Sequence, residues 1–412
     1  MTVLENKHIL LGVTGSIAVY KAVDLASKLT QAGAHVTVIM TKAAQRFVSP
    51  LTFESVTGHP AYTDLWRSGS GELPTHITHI GLGEDTDLLV IAPATANTLA
   101  KLATGLADDL LSITVLAARC PVIIAPAMDG AMYEHPATQS NLATLRGRDI
   151  ILVDPEEGRF ASGMVGRGRL PETPTLMGHI RRVLGRQGSL RGRRVIVTAG
   201  GTQEALDPVR YLTNRSTGKQ GYALAQAALD AGADVTLISA TGTLPTPIGA
   251  TLVPVTSAQE MLAAVEANLS GADVLIMAAA VADFRPAIIA ERKIKKGADE
   301  NQKLTIELVR NPDILLTVKR LRQETGWPRV TIGFAAESED LEENARAKLE
   351  AKGLDLIVAN DITAADAGFA ADTNRVILLD RRGRRQALEL ASKMRISEAI
   401  ISRAAALLGR EA

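Results

Sequence analysis

The sequence predicts an α/β protein made of two tandem doubly wound parallel-sheet domains. Three observations predict it. The stretch "LASKLTQAGAHVTVIM" (25–40) is echoed by "LAQAALDAGADVTLIS" (224–239), each an amphipathic helix, a Gly stop (Gly33, Gly232) and a β-branched strand. Each echo follows a strand with a Gly-containing turn, "HILLGVTGS" (8–16) and "RVIVTAGGT" (194–202), and precedes another matched pair, "TDLLVIAPATAN" (86–97) and "ADVLIMAAAVAD" (272–283). The strands are near-continuous aliphatic runs, as parallel strands covered on both faces require. A repeated β–α–β unit of this kind is Rossmann-like.

Composition narrows the function classes. The chain has 412 residues, 46% hydrophobic and 22% charged, a soluble globular balance with room for two domains. Formal net charge is zero and aromatics are 3%, which argues against a nucleic-acid surface. The single cysteine, Cys120, allows no internal disulfide. No apolar run is long enough to span a bilayer, and the start lacks a signal-peptide pattern; a cytoplasmic, membrane-free protein is expected. The Arg-rich "RRVLGRQGSLRGRR" (181–194) reads as a solvated linker, which puts the domains at 1–190 and 191–412. "ERKIKKGADENQKL" (291–304) reads as an exposed loop or hairpin, and "ASKMRISEAIISRAAALLG" as an amphipathic helix packing on the second sheet.

Ligands of open α/β sheets bind beyond the carboxyl ends of the strands. In the first half that rule selects "GVTGSIAVYKA" (12–22), where Gly15, Ser16 and Ile17 open a helix whose free N–H groups suit a phosphate or nothing at all. The turn is not GxGxxG, so a nicotinamide site is weakly supported. Thr41 ends the next strand, and Ala94, Thr95 and Asn97 end a third, where Thr95 is equally an ordinary helix cap. His76 and His79 lack the Cys or carboxylate company of a metal site; a lone acid/base histidine fits better, or for His76 a surface loop. "APAMDGAMYEHPAT" (125–138) ends a buried strand and carries one central carboxylate, Asp129.

Together "GxTGSIAxYK", "HIxL", "APATANTxAK", "PAMxxxMYxHPAT" and "ASGMVGRGRL" (161–170) resemble the flavin-dependent cysteine decarboxylases, the phosphopantothenoylcysteine branch most closely. The resemblance implies FMN held around Gly15, Ser16, Ile17, Thr41, Ala94, Thr95 and Asn97, with His79 catalytic and a trimer-based assembly. It implies thiol oxidation, which makes an electron sink, followed by decarboxylation and return to the thiol. Two positions depart from the family pattern: Asp129 stands where an Asn contacts the substrate carboxylate, and Ser162 where a Cys assists the final reduction. A flavin-binding regulatory domain with degenerate chemistry is therefore the alternative.

In the second half "TAGGTQEALDPVRYLTNRSTGKQG" (198–221) is a second anion cradle without a P-loop pattern. "AAAVADFRP" (278–286) lets a ligand approach the backbone at Ala279, with Asp283 as an acceptor for ribose or base. Lys293 lies in a cationic run that, without other context, reads as a solvated face. Lys348 and Lys352, i and i+4, share a helix face as a phosphate clamp needs. "AGGTxExxDPVRxxxNxSxGKxG", "AAAVADFRP", "KIKK", "NPDI", "GFAAE" and "VAND" resemble phosphopantothenate–cysteine ligase, and the order of motifs over the whole chain resembles the bifunctional coenzyme A biosynthesis family of bacteria.

That resemblance implies CTP-dependent joining of 4'-phosphopantothenate and L-cysteine through an acyl-cytidylate, and a dimeric, hence homo-oligomeric, ligase domain. It implies Asn214 on the acyl-cytidylate and Lys293 on the triphosphate. CTP falls to Ala279, Asp283, Phe334, Lys348 and Lys352, with the backbone of Pro312, Asp313, Ile314 and Leu315. Mg2+ is expected to ride on the nucleotide rather than in a dedicated side-chain cluster.

Overall fold

The computed structural model describes residues 3–65, 78–159, 163–295, 304–337, 340–361 and 371–409. Two compact units divide between Leu184 and Gly185. In the first, β1 (His8–Val13), α1 (Val19–Gln31), β2 (His35–Met40), α2 (Pro50–Thr57), β3 (Ala61–Tyr62) and α3 (Thr78–Glu84) lead to β4 (Leu88–Ala94). Then come α4 (Ala96–Thr104), α5 (Leu110–Ala117), β5 (Val122–Pro126), α6 (Gly130–Glu134), α7 (Pro136–Arg146), β6 (Ile151–Leu152), β7 (Glu156–Arg159), β8 (Val165–Arg169) and α8 (Thr173–Gly185).

The strand order is β3-β2-β1-β4-β5-β6, all parallel. Alternation along the strands explains the unbroken aliphatic runs. Ile9, Leu11, Val38 and Val90 face a core with Leu25 and Leu29 of α1, Phe53 of α2 and Ile180 of α8. Leu10, Ile39, Leu89 and Ile91 face the opposite core, with Leu99 of α4, Leu111 of α5 and Leu142 of α7. Each fully buried side chain of this kind is worth roughly 1.5–3 kcal/mol, so neither face can turn polar without loss.

The second unit begins with β9 (Arg194–Ala199), β10 (Gln203–Ala205), β11 (Tyr211–Thr213), α9 (Lys219–Asp230), β12 (Asp234–Ser239), β13 (Thr251–Pro254), α10 (Ala258–Leu269) and β14 (Val274–Met277). It continues through β15 (Phe284–Pro286), β16 (Leu308–Arg310), α11 (Ile314–Thr325), β17 (Val330–Glu337), α12 (Leu341–Lys352) and β18 (Leu356–Asp361). It closes with β19 (Thr373–Asp380), β20 (Arg385–Ser392) and α13 (Lys393–Leu408). The main sheet runs β13-β12-β9-β14-β17-β18-β19-β20, parallel as far as β18 and antiparallel at β19 and β20.

The antiparallel edge was not foreseen from the sequence. Only a short turn joins β19 to β20, too short for a parallel crossover. Asp380 accepts from the N–H groups of Arg382 (2.9 Å) and Arg384 (3.0 Å) and pairs with Arg403, which fixes that turn. α13 packs as expected: Ile396, Ile400 and Ala404 share a core with Leu224 and Ala228 of α9.

The Arg-rich stretch around 181–194 is not a solvated linker. Leu190 is 1% exposed and its N–H donates to Ala231 O at 2.7 Å, because the segment packs under the end of α9. The amino ends of the strands repeat one device in both units. Asp87 accepts from His8 N–H, Asp273 from Arg194 N–H and Asp355 from Thr331 N–H, at 2.8–2.9 Å. These carboxylates staple neighbouring strands at the edge opposite the carboxyl ends.

Gly221 lets α9 lie directly on β9. A Cβ there would sit 2.5 Å from Ala199 Cβ and 2.9 Å from Thr198 O, contacts that backbone cannot relieve cheaply. Gly221→Ala is expected to destabilise the second unit by about 1–3 kcal/mol. Calorimetry should show its transition falling by several degrees; an unchanged transition would mean that α9 can slide.

Candidate active sites

In both units the strand order reverses direction at one point, between β1 and β4 and between β9 and β14. The crevice at such a switch point is where ligands sit, and in each unit loops named above meet there. In the first unit Thr14, which follows β1, ties the two loops. Its hydroxyl donates to Pro93 O at 2.7 Å and accepts from Thr95 N–H at 3.0 Å. Gly15 lets the next loop close in: a Cβ would meet Ala43 Cβ at 2.4 Å. Thr41 N–H donates to Val13 O at 3.0 Å, which completes the third side.

Gly15, Ser16 and Ile17 thus stand beside Thr41, Ala94 and Thr95 at the carboxyl ends of β1, β2 and β4, with Asn97 exposed in the first turn of α4. Among the described residues nothing accepts from the backbone N–H of Gly15 or Ile17. Such donors at the start of α1 suit an anion. Ile17 is 62% exposed, an apolar surface beside those donors. Thr95 also caps α4, accepting from Thr98 N–H at 3.4 Å, so the capping reading of that residue is correct as far as it goes.

The loop after β5 is shaped by Asp129. Its carboxylate caps α6, accepting from Ala131 N–H at 3.1 Å, and Met128 N–H is held by Gly168 O at 2.9 Å. Asn and Asp cap helices equally well. An Asp in place of the family's Asn therefore keeps the local fold and changes only the charge presented. Tyr133 is buried beneath the loop, while Met132 is 51% exposed and does not pack there, because α6 turns it outward. The backbone of His79 lies in α3, with its side chain outside the described groups. His76, Ser162 and Lys296 lie outside the described residues.

In the second unit the loop after β14 is pinned to the loop after β9. Ala279 N–H donates to Thr198 Oγ1 (3.1 Å), Ala280 N–H to Gly200 O (2.8 Å) and Ala282 N–H to Thr202 Oγ1 (2.9 Å). Asn214, at the end of β11, donates from Nδ2 to Ala280 O at 3.1 Å, so Asn214 and Ala279 share one rim. Asp283 O accepts from Asn311 N–H at 2.8 Å, and Asn311 Nδ2 reaches Ala282 O at 2.8 Å. That brings the Pro312–Asp313 turn beside Asp283.

Asp313 caps α11 through Leu316 N–H at 3.0 Å and pairs with Lys352. Ile314 is 4% exposed and serves the core, and Leu315 packs inward beside it, so these two offer a ligand only backbone. Lys348 Nζ donates to Phe334 O at 2.9 Å. Both lysines of the expected clamp are thus engaged by protein groups. Lys293 is exposed on the segment after β15. Sequence reasoning missed Thr14, Thr202 and Asn311. Each stands beside a motif residue and acts through a hydroxyl or amide on backbone, a role without a sequence period.

Among the described residues no group of three or more His, Cys, Asp or Glu side chains could hold a metal, and no helix is long and apolar enough to cross a membrane.

The two switch-point crevices, the first with unengaged backbone N–H groups at the start of its first helix, define a tandem doubly wound α/β protein. Comparison carries this further. The family model described as Flavoprotein matches residues 2–185, and that described as DNA/pantothenate metabolism flavoprotein C-terminal domain matches residues 190–408. The coenzyme A biosynthesis bifunctional protein CoaBC of Bacillus subtilis (strain 168) is 47% identical over 407 residues, 98% of this chain and 98% of that protein. The CoaBC protein of Mycobacterium tuberculosis (strain ATCC 25618 / H37Rv) is 46% identical over 406 residues, 96% of this chain and 95% of that protein. A solved C-terminal domain of CoaBC is 37% identical, covering 54% of this chain and 99% of its own at a TM-score of 0.45. The FMN-dependent cysteine decarboxylase SpaF is 36% identical, covering 44% of this chain and 97% of its own at a TM-score of 0.38. The chain belongs to the family of bifunctional coenzyme A biosynthesis proteins.

Proposed function

We propose that the chain performs two consecutive steps of coenzyme A biosynthesis: CTP-dependent ligation of 4'-phosphopantothenate with cysteine in residues 191–412, then FMN-dependent decarboxylation of phosphopantothenoylcysteine in residues 1–190. The observation that carries it is the near full-length match to bifunctional relatives, with both domain models in that order. The switch-point crevices are consistent with a place for each reaction.

In the first unit the free donors at Gly15 and Ile17 fit the phosphate of FMN, and exposed Ile17 fits a flat apolar ring. Ser16, Thr41, Ala94, Thr95 and Asn97 would complete that hold. When bound, FMN supplies a two-electron couple for the substrate thiol. His79 holds and moves the proton, and Ser162, at the sequence position of the family's Cys, is the relay group. Asp129 faces the substrate carboxylate while capping α6. The cap shows that Asp129 keeps the local fold of the loop; what differs from an Asn is the charge it presents.

In the second unit the carboxylate of 4'-phosphopantothenate attacks the α-phosphorus of CTP and pyrophosphate leaves. The cysteine amine then attacks the acyl carbon and CMP leaves. Lys293 offsets the triphosphate charge, Asn214 holds the acyl-cytidylate, and Ala279, Asp283 and Phe334 shape the nucleoside pocket. Pro312, Asp313, Ile314 and Leu315 add backbone, and Lys348 and Lys352 add charge at the rim. Mg2+ rides on the triphosphate. The reading includes a cytoplasmic homo-oligomer, trimeric through the flavin domain and dimeric through the ligase domain.

Mass spectrometry of products tests it. With 4'-phosphopantothenate, cysteine, CTP and Mg2+, and FMN-loaded protein, the expected product is 4'-phosphopantetheine. Accumulation of phosphopantothenoylcysteine would show an inactive first domain. ATP working as well as CTP would remove the nucleoside assignment.

A further inference from the structure

We propose that Asp207 is the positioning residue that holds the loop bearing Lys293 in place for the ligase step; this rests on the reading of Lys293 given above. The side chain of Asp207 is 0% exposed. One carboxylate oxygen accepts from the N–H groups of Val209 and Arg210, both at 2.9 Å. The other accepts from Arg210 Nε at 3.0 Å and Arg210 Nη2 at 2.6 Å, and also from Ile294 N–H at 3.1 Å.

The last bond separates this arrangement from an ordinary turn. Asp followed by Arg three residues later closes a turn on its own, with Val209 and Arg210 as donors. The structure adds a donor 87 residues further along the chain. Arg210 then completes the grip, donating from Nη2 to Ile294 O at 3.0 Å. Both sides of the Ile294 residue are thus held by one ion pair. A second tie lies just upstream, where Ala290 N–H donates to Leu206 O at 3.0 Å. Residues 290–294 are pinned at both ends to 206–210, and exposed Lys293 sits inside the pinned span.

Electrostatics keep the clamp shut across the working pH range. The Arg210 guanidinium first, then the three backbone N–H groups, outweigh burial and hold the Asp207 carboxyl well below the usual carboxylate range. Charge-assisted bonds of this geometry are the stronger class. β11 separates Arg210 from Asn214 by a strand about 10 Å long. Asp207 therefore lies away from the reacting centre and acts through Lys293.

A double-mutant cycle on the full chain reads this directly. Asp207→Asn keeps the size of the side chain but removes the charge and turns one acceptor into a donor. Ligase turnover, read as pyrophosphate release with CTP, 4'-phosphopantothenate and cysteine, is expected to fall about 100-fold, as for a misplaced catalytic group. In a Lys293→Ala background the same change should have almost no further effect, because the group it positions is gone. A further fall of the same size in that background would overturn the proposal, since Asp207 would then act independently of Lys293. If Lys293→Ala alone leaves turnover intact, the reading of Lys293 fails and the proposal falls with it, a result distinct from the first. Asp207→Ser replaces Asp207→Asn if the latter does not fold. In the unmutated protein the Ile294 amide should exchange slowly with deuterium; exchange at open-loop rates would also overturn the clamp.

Discussion

Lys293→Ala is expected to lower CTP-dependent pyrophosphate release by about 100- to 1,000-fold, while carbon dioxide release from phosphopantothenoylcysteine stays unchanged. The size follows from the charge that the ligase step gathers. Attack on the α-phosphorus and departure of pyrophosphate both load negative charge onto oxygens that bulk water would otherwise solvate. A fixed ammonium beside them is worth about 3–4 kcal/mol when water is excluded, as for other preorganised donors aimed at a developing charge. Lys348 and Lys352 do not substitute for it, because they stand on α12, a different element from the segment that carries Lys293, and so place their charge elsewhere. Lys293→Arg should recover only part of the rate, since a planar fork does not replace a compact charge. The measurement is steady-state kinetics of both reactions on the same preparation. Loss of both activities together would refute separate sites.

The fold was legible wherever one physical rule set the sequence. Strands buried on two faces must be aliphatic at every position, so β1, β4, β9 and β14 stand out as runs. The helices between them must cover one face, so α1 and α9 repeat a single pattern. The hairpins β10–β11 and β15–β16 were not legible. Their strands are three residues each, too short for a period to develop, and they are held by bonds between residues distant in sequence: Thr202 accepts from Ala282 N–H and Thr213 Oγ1, and Asn311 Nδ2 donates to Ala282 O.

The candidate sites stand out in the sequence as glycine, threonine and asparagine at strand ends, because the switch-point rule says where to look. What stayed hidden was mutual engagement. Nothing in the sequence says that Lys352 spends its charge on Asp313, or that Asp207 reaches Ile294. Those partners are far apart in the chain and share no spacing. The reading of 181–194 as a solvated linker failed for a related reason: six arginines signalled solvent, but one leucine among them, Leu190, decides where the segment packs.

His79→Ala is expected to reduce decarboxylation by about 100- to 10,000-fold and to leave FMN bound. The two halves of that expectation have different sources. The donors proposed for the FMN phosphate and ring lie on the loops after β1, β2 and β4, and α3 is a separate element between β3 and β4. Removing an imidazole from α3 takes away none of those donors, so the purified variant should keep its yellow colour and flavin spectrum. The loss of rate comes from the proton. The reaction removes hydrogen from a thiol and later returns it to carbon and sulfur, and histidine changes charge near neutral pH, where such a transfer is easiest to balance. Stopped-flow absorbance on the loaded variant separates the outcomes. A yellow protein that no longer releases carbon dioxide supports the role. A colourless one would make His79 a cofactor ligand instead, and unchanged turnover would remove it from the mechanism.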